Sequence, residues 1–128
     1  MAVEVEDWVA DLYRAIDGGD ADAVLAFYAD DIVLTFGNAP AVVGKDQVRA
    51  GHGSWDGVVE GMRHTFRSAV TAGDTTVLEA DVEYRLVGRP SVTVPVATFL
   101  RRKGDHVAEL RIYADLGPVF GGGAGGEG

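Results

Sequence analysis

Apolar residues early in the chain fall at Val5, Trp8, Val9, Leu12, Tyr13 and Ile16. These are offsets of three, four, seven, eight and eleven, the stripe of an amphipathic helix. Glu4, Glu6 and Asp7 gather at its start, where the helix dipole favours anions, and Gly18-Gly19 ends it. Asp20 is placed to cap a second, short helix through Val24, Leu25, Phe27 and Tyr28. Asp30-Asp31 then leads into the β-rich run Ile32–Phe36, which Gly37, Asn38 and Pro40 break. A third helical segment is predicted from Lys45 to about Ala50, with Gly51-His52-Gly53 interrupting it before Trp55.

Beyond this point the period changes to two. Gly73-Asp74, Gly88-Arg89-Pro90 and Gly104-Asp105 are turn signals, and they delimit strands of roughly 62–71, 75–87, 91–102 and 106–115. Pro95 inside one of them predicts a bulge or an edge. The last strand alternates strictly, with Leu110, Ile112 and Ala114 on one side and Glu109, Arg111, Tyr113 and Asp115 on the other. Gly117-Pro118 stops it. That polar row is either a solvated sheet face or the wall of a pocket. The elements add up to an α+β domain over residues 1–120, with helices covering one face of a curved, mostly antiparallel sheet. The space between the layers is where a ligand cavity is expected. Residues 121–128, nearly all glycine, are expected to be a flexible tail.

Composition narrows the function classes. A formal net charge of −9 argues against nucleic acid and anionic membranes as partners. The absence of cysteine suits a reducing, cytoplasmic setting, and no apolar run is long enough to span a membrane. His52, His64 and His106 do not have metal-ligand spacing, and no glycine loop is placed to cradle a phosphate, so neither metal nor cofactor is expected.

Several phrases occur in the order and at the intervals found in one superfamily. They are Gly19-Asp20, Tyr28-Ala29-Asp30-Asp31, Val43-Gly44-Lys45, His64 early in a long strand, and Arg111-Ile112-Tyr113-Ala114-Asp115-Leu116-Gly117-Pro118. Over about residues 5–120 the chain resembles the nuclear transport factor two-like superfamily, in particular its SnoaL-like branch. The resemblance implies a cone-shaped α+β barrel whose sheet wraps about three N-terminal helices and encloses a cavity. The fold hosts cyclases, isomerases, dehydratases, epoxide hydrolases and non-catalytic modules, so it does not by itself fix the chemistry. The positions that serve ketosteroid isomerase fall on Phe36, Leu12 and Ala97, none of which can transfer a proton there. The Arg-x-Asp of limonene epoxide hydrolase falls near Asp81-Val82-Glu83, without its arginine, though Arg111 can approach from another strand. The acid/base aspartate of SnoaL-type polyketide cyclases matches Asp115.

The candidate catalytic residues are therefore Asp115, His64 and Tyr113. A carboxyl group in an apolar cavity is driven toward the working range of a general acid/base; the plainer reading of Asp115 is a strand-end cap or a partner for Arg111. His64 shares a strand face with Phe66 and is expected to point inward, as a proton donor or orienter or as a hydrogen-bonded core residue. Arg111 and Tyr113 can hold a carbonyl or enolate oxygen, or Arg111 only neutralises Glu109 or Asp115. Trp55, Trp8 and Phe36 are candidates for the apolar wall, and Asn38 for the cavity mouth. Glu79, Asp81 and Glu83 read as a solvated or interface-rim face. The function expected is a cofactor-independent enzyme acting on a hydrophobic small molecule by general acid/base catalysis, of the cyclase, isomerase or dehydratase kind. Epoxide hydration and a non-catalytic binding or dimerising module are the alternatives. A homodimer through the outer sheet face is expected from the resemblance and from the apolar alternation of residues 91–100.

Overall fold

A computed structural model describes residues 3–53 and 55–121; the rest of the glycine-rich tail lies outside the described residues. Helix α1 (Asp7–Asp17) buries Val9, Leu12 and Tyr13 and closes at Gly18-Gly19, where Gly19 takes a φ of +73° that only glycine adopts easily. Asp20 caps α2 (Ala21–Ala26) by accepting a hydrogen bond of 3.1 Å from the Ala23 N–H. Helix α3 (Lys45–Gly53) runs through the glycines expected to interrupt it, and His52 in its last turn is half-buried.

Six strands form one sheet: β1 (Tyr28–Phe36), β2 (Val42–Val43), β3 (Val59–Ala72), β4 (Thr75–Leu86), β5 (Val92–Lys103) and β6 (His106–Ala114). Their order is β2-β1-β6-β5-β4-β3, and every pairing is antiparallel except β1 with β6. The fold is α+β, with the helices on one face of a mostly antiparallel sheet. Turn glycines 73, 88 and 104 all have positive φ, which is why the strand limits were readable from the sequence. Pro95 pairs with Asp81 on β4, but β6 begins its pairing with β5 only at Val96↔Ala114. Proline thus sits at a local edge, where its missing N–H costs no ladder bond. Among the described residues, no helix is long and apolar enough to cross a membrane.

The even-numbered residues of β4 and β5, from Thr76 to Leu86 and Val94 to Leu100, turn inward. They divide into two apolar clusters. The first joins Val9, Leu12, Leu25, Ile32, Leu78 and Leu100 under the helices. The second joins Val59, Val82, Tyr84, Val94, Val96 and Val119, with Trp55 and Met62 packed against it. Phe66 and Ile112 touch both.

Candidate active site

Two short periodicities assemble the polar centre of the inner face. Tyr13 and Asp17, four residues apart, share one side of α1. His64 and Phe66, two apart, share one side of β3. The Tyr13 ring lies edge-on to His64 at 4.7 Å between centroids and to Phe66 at 5.2 Å. The Asp17 carboxylate holds His64 twice. Its Oδ2 accepts the His64 backbone N–H at 2.9 Å, and its Oδ1 lies 2.7 Å from Nδ1. The His64 side chain is only 12% exposed. A carboxylate facing Nδ1 places a proton there and leaves Nε2 as the working nitrogen. Among the described residues no protein group bonds Nε2, and it is not among the buried atoms lacking a partner, so solvent reaches it.

Burial raises the Tyr13 phenol well above its ordinary value; nearby Tyr28 and Asp17 add to this, and the Thr98 hydroxyl opposes it. Tyr13 is therefore a neutral hydroxyl at any physiological pH. Beside this centre, on the next inward position of β4, burial pushes the Tyr84 phenol up to about 12. Trp55 packs between Phe36 (5.5 Å) and Tyr84 (6.1 Å) and closes the apolar wall.

The expected residues separate into two groups. His64, Trp55 and Phe36 lie on the inner side. Arg111 and Tyr113 do not: with Leu110 turned into the core, the alternation sends them to the outer face. There Tyr113, 46% exposed, meets Phe99 edge-on at 6.0 Å, and Arg111 lies over the same ring at 5.0 Å. Asp115 is exposed past the end of β6, and its Oδ1 accepts the Gly117 N–H at 2.9 Å. It caps the turn instead of facing an apolar space. Asn38 is exposed in the turn after β1. Trp8 is on α1 toward the far end of the sheet, donating to Glu6 at 2.7 Å under the Arg102 guanidinium. A cleft of about 210 Å³ opens at that far end, lined by Glu6, Thr71, Asp74, Thr76 and Arg102 among others. Its lining groups are already engaged with one another, since Thr71 and Thr76 also share a 2.9 Å hydrogen bond, and we regard it as surface relief. The carboxylates of β4 face out, beside Arg67 (3.6 Å to Asp81) and Arg63 (3.9 Å to Glu83).

Asp17 had no place among the expected residues. The signal for it was nonetheless present. A carboxylate on the last residue of a helix sits at the negative end of the dipole, and an anion there calls for a partner.

The sheet order and the helix-covered concave face recur in known structures. One is a protein with a ketosteroid isomerase-like fold from Catenulispora acidiphila, solved with trimethylamine: TM-score 0.81, 24% identity, covering 92% of each chain. An NTF2-like protein of unknown function from Burkholderia pseudomallei gives a TM-score of 0.78 at 20% identity, over 84% of this chain and 88% of that one. An LEH-like epoxide hydrolase of M. tuberculosis gives 0.74 at 19%, over 89% and 84%. At these identities the likeness is one of fold. No curated protein matches the chain. A family model for the SnoaL-like domain matches residues 9–110, from the first helix to the middle of the last strand. The protein belongs to the SnoaL-like domain family.

Proposed function

We propose that this protein is a cofactor-independent enzyme that moves protons on a hydrophobic carbonyl compound, with His64 as the general acid/base and Asp17 as its orienter. The observation that carries the reading is the doubly held histidine. One carboxylate fixes its backbone and its Nδ1, and leaves Nε2 without a protein partner on the inner face. In the forward step the Nε2 lone pair takes a proton from the carbon next to the carbonyl, and the electron pair of that C–H bond becomes the enolate. A neutral tyrosine hydroxyl, Tyr13 or Tyr84, donates a hydrogen bond to the developing oxyanion. The imidazolium then returns its proton to another carbon, which is isomerisation, or to a departing hydroxyl, which is loss of water. Alternatively the enolate carbon attacks a second carbonyl and closes a ring, the electron pair of that C=O bond moves to its oxygen, and the imidazolium protonates the resulting alkoxide. Phe36, Trp55 and Tyr84 supply the apolar surface for the body of the substrate.

Exchange of α-protons for deuterium, followed by NMR on a panel of hydrophobic cyclic ketones, tests this without a known substrate. His64→Gln is expected to slow exchange about a hundredfold, within the range of general-base catalysis. Asp17→Asn is expected to slow it about tenfold, through the lost orientation. Tyr113→Phe and Asp115→Asn leave it unchanged. Exchange that survives His64→Gln would falsify the assignment. The residues weighed for epoxide hydration, Asp81, Glu83 and Arg111, point to the outer face and give that reading no support.

The outer face suits a second copy of the chain. Arg111 Nε is buried there without a hydrogen-bond partner, next to the Phe99–Tyr113 pair. A homodimer through this face is the proposed state; sedimentation as a monomer at micromolar concentration counts against it.

A further inference from the structure

The residues after β6 do not leave the sheet. Leu116 packs against the second cluster, and Gly117–Gly121 forms a single π-helical turn. Within it Val119 is 0% exposed in the heart of that cluster, and Phe120 stands edge-on to Trp55 at 4.9 Å. The turn thus covers part of Trp55, one of the rings of the apolar wall. Its attachment is slight. Its backbone bonds, Val119 and Phe120 N–H to the Leu116 carbonyl at 3.0 Å, are internal, and Asp115 caps it locally. Among the described residues one long-range hydrogen bond is drawn to it, a part-buried one from the Arg89 guanidinium to the Val119 carbonyl. Phe120 remains 46% exposed while touching Trp55, so water already reaches one side of the contact. The chain departs from the ladder after Ala114, and Gly117-Pro118 opens the turn.

We propose that the turn Leu116–Phe120 is a displaceable plug, and that the space Val119 and Phe120 fill, beside Trp55 and Tyr84, is the subsite for the flat apolar body of the ligand. This rests on the reading of the inner face as the substrate site. A ligand entering must lift the turn, so its apparent affinity is lowered by the fraction of molecules in which the plug is seated. Weakening the latch at Arg89 or the edge contact of Phe120 with Trp55 raises the open fraction and leaves the side chains of His64, Asp17, Trp55 and Tyr84 in place.

Prodan, a neutral flat aromatic ketone whose emission reports its surroundings, serves as the probe on the full-length protein. Arg89→Ala and Phe120→Ala are each expected to tighten prodan binding about fivefold. With 4-fluorophenylalanine at position 120, the fluorine resonance is expected to move to its solvent position as prodan saturates. Equal affinity in wild type and both variants overturns the plug, as does a fluorine signal that ignores saturating prodan. Absence of any prodan binding overturns the subsite. The same series with His64→Gln separates the two readings: prodan affinity should persist while α-proton exchange falls. If the plug behaves as expected and exchange survives that substitution, the plug stands and the acid/base assignment does not.

Discussion

The two apolar clusters are built from the same strands but closed by different means. Helices close the first: α1 and α2 lay Val9, Leu12, Val24 and Leu25 on Leu78 and Leu100, and each of these is nearly or fully buried. Irregular chain closes the second, the Trp55–Val58 turn on one side and the C-terminal π-turn on the other. A helix brings its own hydrogen bonds and many side chains at once, so it opens only with the whole fold. A turn tied by one side-chain bond can open alone. The candidate chemistry sits at the seam, where Phe66 and Ile112 touch both clusters and His64 and Tyr13 pack beside Phe66. One half of the inner face keeps the structure; the other is free to admit something.

This contrast can be broken by stability measurements. Leu12→Ala, at a residue 1% exposed under the helices, should cost about 3–4 kcal/mol in urea denaturation. The next effect is alkaline. Burial raises the phenols of Tyr13 and Tyr28 in the first cluster and of Tyr84 in the second, Tyr84 from 10.0 to about 12. The folded state therefore binds these protons more tightly than the unfolded chain does. The Tyr84 contribution is complete below pH 10 and is lost as pH rises from there through about 12, and the loss from Tyr13 and Tyr28 extends to higher pH still. Tyr84→Phe should remove about 2–3 kcal/mol of that alkaline loss, seen by comparing unfolding free energies at neutral and high pH. The smallest change is expected at Val119. It is as buried as Leu12, yet Val119→Ala should cost only about 1 kcal/mol of global stability, because the loss is capped at the free energy that seats the turn. It should instead speed amide exchange at Phe120. A global cost matching that of Leu12→Ala would make the two clusters one core and remove the contrast.

The elements were legible because each is fixed locally. The stripe Val5 to Ile16 gave α1, and glycines that need positive φ gave the hairpin turns. The site was less legible, for two reasons. Strict alternation in β6 divides its residues between two faces but does not say which face the helices cover. The row Arg111-Tyr113-Asp115 fits either a solvated face or a pocket wall by its pattern alone, and it is the turning of Leu110, Ile112 and Ala114 toward the clusters that leaves the row outside. The pairing of Asp17 with His64 spans 47 positions and depends on where α1 lands on β3, which no short-range pattern encodes.

The parallel pairing of β1 with β6 has a bearing on how the chain reaches this arrangement. The strands β3, β4 and β5 form a meander of neighbours in sequence, which can zip up as it is synthesised. β1 has to wait for β6, far downstream in the chain, since Val33–Phe36 pair with Glu109–Ile112. Until β6 arrives between β5 and β1, the segment bearing the two N-terminal helices has no hydrogen-bonded place in the sheet. His64, in the meander, and Asp17, on α1, are both made before β6, but on this order of events the two would meet only once β6 has joined β1 to the sheet. The Asp17–His64 pairing would therefore form late in folding, although both of its residues precede β6 in the chain.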